Sequence, residues 1–220
     1  MYHSWNLQRL LRFLALDTAL VLAAVLLTHL GKHHFSAADS AGGVSLPVLM
    51  YHSVAPVPER QYCVTPETLE SDLRYLQAHG YETVSPEELV AYTNGNGTLP
   101  EKPVMLTFDD GLYNNLSLVL PLLESYDMCA VVSVVGIFTD EYAPDAPHND
   151  VYSYLTWEDL KQMHDSGRIT LGSHTYDMHE NGTRQGCAKT DWETEEEYHE
   201  TLYADLSLMQ TRFQEELQIQ

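Results

Sequence analysis

Pro103-Val104-Met105-Leu106-Thr107-Phe108-Asp109-Asp110-Gly111 is the stretch that decides the fold of this chain. Its first part is a short apolar run opened by a proline, which reads as a buried strand rather than as one face of a helix. It runs without a spacer into two carboxylates and a glycine, so the end of the strand carries the acids. Working outward, the upstream residues from Val44 to Val54 (VSLPVLMYHSV) form another strand-like apolar run. Residues 66–79 (PETLESDLRYLQAH) place Leu69, Leu73 and Leu76 on one helical stripe, with Thr65 as cap, Pro66 at the first position and Gly80 as stop. Tyr81–Val84 reads as a short strand, and Ser85-Pro86-Glu87-Glu88 opens a helix that stops at Asn94-Gly95-Asn96-Gly97. Downstream, Leu116–Tyr126 reads as helix and the valine-rich run Cys129–Val135 as strand. Thr156-Trp157-Glu158-Asp159 opens a capped helix ending at Gly167, Ile169–Ser173 is a strand that ends in His174, and Thr194–Leu217 is a long acidic helix. Strand and helix alternate, so the class is α/β with a parallel sheet. The acids and His174 fall at the C-terminal ends of two strands, the edge on which such folds build their sites.

The bulk composition narrows the function. The chain has 220 residues, with 32 acidic and 11 basic side chains and a formal net charge of −21. So negative a surface repels phosphate backbones, which argues against nucleic acid as a partner, and it argues against docking on anionic glycans by charge alone. Cys63, Cys129 and Cys187 are scattered, with no paired-cysteine spacing, so neither a zinc ribbon nor a disulfide framework is implied.

Residues 10–30 (LLRFLALDTALVLAAVLLTHL) have the length and composition of a membrane-spanning helix. Arg9 and Arg12 place the N-terminus in the cytoplasm, although Asp17 is a costly charge within the span. A cleaved signal peptide is the competing reading, with small residues at Ser36–Ala38 and Ser40–Gly42. Both put the remainder outside the cytoplasm. The expected organisation is a cytoplasmic tip and anchor over residues 1–31, a linker over 32–43 and one domain over 44–220 at the outer face of the cell membrane.

Adjacent carboxylates repel each other, and one arrangement that tolerates them is a cation held by one while the other takes a proton from water. An ordinary Asp-Asp-Gly turn explains the same residues. His174 and His179 bear on the choice. Five residues apart, they do not face one another on a helix, but a loop can turn both rings inward. Two imidazoles and a carboxylate make a common catalytic zinc set with positions left open for water and substrate.

The two motifs, Thr107-Phe108-Asp109-Asp110-Gly111 and His174-Thr175-Tyr176-Asp177-Met178-His179, resemble those of the polysaccharide deacetylases, carbohydrate esterases related to the nodulation-factor deacetylases. The resemblance extends over residues 44–220. It implies a (β/α) barrel of the polysaccharide deacetylase type, here incomplete, and the apolar stretch over residues 10–30 precedes it as one transmembrane helix. It also implies Asp109 as general base, and Asp110, His174 and His179 as ligands of a divalent metal, zinc first among them. Asp177 is the alternative third ligand. The commonest form of the second motif spaces its histidines more closely. The wider spacing resembles the subgroup of biofilm poly-N-acetylglucosamine deacetylases, as does Val48-Leu49-Met50-Tyr51-His52-Ser53-Val54. His52 would then lie at the barrel mouth against substrate, or else be a structural histidine paired with a neighbouring loop. The implied reaction is hydrolysis of N-acetyl groups on an N-acetylglucosamine-containing polysaccharide of the cell envelope.

The family pattern also has an arginine segment that orients the base, a groove-lining acidic-aromatic segment, and a late Leu-x-His supplying the general acid. Arg184, Arg212 and His199 do not stand in those contexts. The expectation is a chain truncated at its C-terminus, with a non-catalytic carbohydrate- or metal-binding relic as the rival to an active deacetylase. A phosphoesterase using the Asp pair ranks last, for want of basic residues to hold phosphate. Asn-x-Ser/Thr triplets at Asn96, Asn115 and Asn181 are short patterns that chance explains.

Overall fold

The computed structural model describes Thr18 and residues 43–56, 61–142, 147–179 and 182–219. The chain divides into two units, Met1–Val44 and Ser45–Gln220. The stretch read as a membrane anchor lies outside the described residues apart from Thr18. Among the described residues, no helix is long and apolar enough to cross a membrane.

The second unit is built on a parallel sheet of five strands. In chain order these are β1 (Val48–Tyr51), β4 (Glu82–Thr83), β5 (Pro103–Phe108), β6 (Ala130–Val134) and β7 (Ile169–Ser173). Their spatial order is β1-β5-β6-β7, with β4 paired to the first residues of β5. A separate parallel pair joins β2 (Ser53–Val54) to β3 (Cys63–Val64). The apolar run expected as one strand over Val44–Val54 is therefore broken at His52. Ser53 turns away to donate its N–H to Tyr62 O at 3.1 Å instead of extending β1.

The helices start where side-chain oxygens can cap them. Helix α1 (Pro66–Ala78) is capped by the Thr65 hydroxyl, and α2 (Pro86–Thr93) by a reciprocal box between Ser85 and Glu88. The same box, Thr156 with Asp159 and Thr194 with Glu197, opens α5 (Trp157–Asp165) and α6 (Glu195–Arg212). Between β5 and β6, the expected helix begins as a wide π turn over Asn115–Val119 and narrows to α3 (Leu120–Tyr126). Pro121 has no N–H to give the preceding turn, which favours a change of pitch there. A six-residue helix, α4 (Gly136–Glu141), follows β6, and α6 ends in a second π segment, Phe213–Leu217.

The core lies on one face of the sheet. Leu106, Phe108, Val132 and Val134 are fully buried there against Leu69 and Leu73 of α1, Leu123 of α3 and Leu160 and Met163 of α5. Each such side chain contributes about 1.5–3 kcal/mol by leaving water. Asn114 and Asn115 are buried polar residues that tie the β2 segment down. The Asn114 amide oxygen accepts from Val54 N, and the Asn115 amide donates to His52 O at 3.1 Å. Asn115 is completely enclosed, so its triplet is no glycosylation acceptor in the folded chain. Asn181 lies outside the described residues.

Candidate metal centre

β5 delivers Asp109 and Asp110 to the C-terminal edge of the sheet. Asp109 N–H donates to Tyr51 O at 3.0 Å, which continues the β1–β5 pairing one residue beyond the strand. The chain then turns sharply, with Asp110 at φ 74° and Gly111 at φ 70°. A β-carbon at Gly111 would stand 2.7 Å from Val134 Cγ1, so only glycine lets the turn lie this close to β6. The turn aims Asp110 across the edge rather than out into water.

β7 delivers the histidines. His174 N–H donates to Val134 O at 2.9 Å, and Thr175 turns at φ 74°. The loop after it is fastened to the start of α4, where Gly136 N–H donates to Thr175 O and Ile137 N–H to Tyr176 O. Met178 N–H closes back on the Thr175 hydroxyl at 3.1 Å. This curl brings His179 beside His174, their ring centroids 5.0 Å apart.

Asp110 Oδ1 lies 3.1 Å from His179 Nε2 and 3.7 Å from His174 Nε2. Asp110, His174 and His179 each offer one ligand atom, and these all lie within 4.8 Å of one another. Despite the closeness, Asp110 Oδ1 is buried and accepts no hydrogen bond. A buried carboxylate oxygen without a donor carries a penalty of about 1–3 kcal/mol or more, unless a cation answers it. Neutral imidazole nitrogens and a carboxylate oxygen pointing at one small volume are a donor set suited to a divalent cation, zinc foremost.

Among the described residues, the Asp109 carboxylate has no hydrogen bond or ion pair. His52 stands at the same sheet edge beyond β1, its ring stacked on Tyr62 at 4.9 Å. Asp177, the alternative ligand, stands outside the group of three. Arg184 is engaged with Glu193, Arg212 with Asp140 and Glu216, and His199 is exposed on α6.

An aromatic wall that no sequence motif announces stands beside the site. Phe138 of α4 meets His179 edge-on at 5.8 Å and packs on Tyr154 at 4.6 Å. Burial, and then the negative charge of Asp110, pushes the Tyr154 phenol above its ordinary range. Leu112 and Tyr154 form an isolated antiparallel bridge, so the residues after Asp110 fix the position of this tyrosine. Neither aromatic belongs to a periodic pattern, so no local signal marks them.

A family model described as polysaccharide deacetylase matches residues 96–217, more than half of the chain. The YxkH protein of Bacillus subtilis (strain 168) is 31% identical over 137 residues, which are 60% of this chain and 43% of YxkH. The poly-beta-1,6-N-acetyl-D-glucosamine N-deacetylase of Escherichia coli (strain K12) is 30% identical over 126 residues, 55% of this chain and 19% of that protein. The match thus spans less than half the length of either relative. Among solved structures, the de-N-acetylase from Aggregatibacter actinomycetemcomitans superposes with a TM-score of 0.68 at 27% identity, over 79% of this chain and 76% of that one. IcaB from Ammonifex degensii gives 0.66 at 26% identity, over 81% and 72%. The α/β architecture with its parallel sheet is common to all three.

Proposed function

Because the chain belongs to the polysaccharide deacetylase family, we propose that it hydrolyses N-acetyl groups on an N-acetylglucosamine-containing polysaccharide of the cell envelope. Asp110, His174 and His179 hold a divalent cation, zinc by preference, and Asp109 is the general base. The observation that carries this reading is the buried, donorless Asp110 Oδ1 facing two imidazole nitrogens. The name of the Escherichia coli relative supports the choice of glycan.

When bound, the cation supplies Lewis acidity, lowering the pKa of water and polarising the acetyl carbonyl. The chain's own residues do the rest. Asp109 is anchored at its backbone to Tyr51 O, while its carboxylate is unpaired among the described residues and available to accept a proton from water. Phe138, edge-on to His179, and Tyr154 packed on it supply ring surface on one side of the site. Proton transfer to the leaving amine needs an acid, and the late histidine of the sequence, His199, is exposed on α6. The second reading is a carbohydrate- or metal-binding relic that keeps the ligands and base of the family without turnover. For either reading, the proposed location is the outer face of the cell membrane, with residues 10–30 as the anchor, on the strength of their composition and of Arg9 and Arg12 at its N-terminal end.

Metal content and acetate release from N-acetylated glucosamine oligosaccharides test these readings together. The expected result is about one metal ion per chain, lost in Asp110→Ala and His174→Ala. Asp109→Asn is expected to keep the metal and lose about 10²–10⁴ in kcat. Unchanged metal content in both ligand variants would overturn the site. Metal without acetate release in the wild type selects the relic.

A further inference from the structure

The helix α6 carries three residues on one stripe, Asp205, Met209 and Arg212, spaced as neighbours along a helix face. Asp205 bonds the loop between His174 and His179 directly, Met209 packs beside Gly136 at the start of α4, and Arg212 reaches the loop only through Asp140. The Asp205 carboxylate accepts two consecutive backbone N–H groups of that loop, Tyr176 N–H at 2.8 Å and Asp177 N–H at 2.7 Å. Met209 is fully buried where α6 meets the start of α4. A β-carbon on Gly136 would strike both Met209 Sδ and the Tyr176 ring, which measures how closely helix, loop and α4 pack. Arg212 pairs with Asp140 at 2.6 Å, and Asp140 also accepts from the Tyr176 hydroxyl at 2.9 Å. Tyr176 is thus held by α6 at its amide and, through Asp140, at its phenol.

The loop needs such holding. Thr175 is β-branched and sits at φ 74°, a conformation that costs of order 1–3 kcal/mol and persists only where neighbours enforce it. The curl it starts is what lets histidines five residues apart converge. Backbone N–H groups at two successive residues make a concave donor pair that one carboxylate can fill completely.

We propose that Asp205 is a positioning residue of the metal centre. Its carboxylate locks the Tyr176–Asp177 backbone, and through it fixes the relative placement of His174 and His179. This rests on the cation-binding reading above. It adds that the ligand geometry is set from α6, a helix remote in sequence that contributes no ligand.

The test uses the full-length chain, with Co²⁺ as a spectroscopic probe and amide hydrogen exchange on the metal-free protein. Asp205→Ala is expected to weaken Co²⁺ binding about 10- to 100-fold, as loss of partners behind metal ligands does, and to change the cobalt absorption bands. In the same variant the Tyr176 and Asp177 amides should exchange faster, while amides of β5 and β6 keep their protection. Asp205→Asn retains one accepting oxygen and should fall between the wild type and Ala. It carries the test if the alanine variant does not fold. Wild-type cobalt affinity, wild-type bands and undiminished protection at both amides would overturn the proposal. If the wild-type chain binds no Co²⁺ or Zn²⁺, the cation-binding reading fails by itself. Amide exchange then decides whether Asp205 holds the loop.

Discussion

Asp110 and Gly111 make consecutive left-handed turns, at φ 74° and φ 70°, to bring one carboxylate oxygen in front of two imidazoles. The glycine is required twice over, by its φ and by Val134 Cγ1 at 2.7 Å from where a β-carbon would stand. Gly111→Ala should therefore cost about 1–3 kcal/mol in urea unfolding. It should also weaken metal binding, because the strain is relieved by moving Asp110. A variant as stable as wild type with unchanged metal affinity would contradict this account of the turn. The residues legible in the sequence, Asp109, Asp110, His174 and His179, stand in short contiguous motifs at strand ends. Phe138, Tyr154 and Asp205 were not legible. Phe138 and Tyr154 act through ring contacts across the fold, and Asp205 through hydrogen bonds to backbone amides, which any sequence in the loop except proline would offer.

Elements were legible where a cap or a clear apolar stripe marks them. Thr65, Ser85, Thr156 and Thr194 each begin a helix in the structure, and each accepts from the backbone at its third helical residue. Helix α4 and strand β3 escaped because six and two residues are too short for periodicity to show. Yet α4 carries Asp140, the residue that ties the end of α6 to the site. Burial raises the Asp140 pKa, but donors from Arg212, Trp157 and Tyr176 outweigh it and hold the carboxyl below its ordinary value. A folded-state pKa below the unfolded one means stability that is present above the ordinary carboxylate range and lost as pH falls through the depressed value. The pair meets solvent, so Asp140→Asn should cost only about 1 kcal/mol at neutral pH. The melting-temperature gap between wild type and Asp140→Asn should shrink as pH is lowered from about 7 to about 3. A gap that widens on acidification would show that Asp140 is held by something other than these donors.

At the scale of the molecule, the two faces of the sheet are unequal. Residues paired across strands share a face, and the row Met50, Thr107, Val131 and Thr170 is exposed or half-exposed, with Met50 at 61%. The opposite face holds Leu106, Phe108 and Val132 at 0%. A strand expected to be buried throughout, Pro103–Phe108, is buried except at Thr107, the residue on the open row next to the site. The unequal faces make a quantitative prediction for the described residues. Leu106→Ala removes packing from a fully buried position and should cost about 2–5 kcal/mol in urea unfolding. Met50→Thr, on the neighbouring strand but the open face, should stay within about 0.5 kcal/mol. Equal costs would mean that in solution both faces are covered. The site sits at the rim where the packed face ends. The prediction therefore bears on function, because a centre braced from the packed side by α4 and α6 keeps its ligand geometry however the open side is filled.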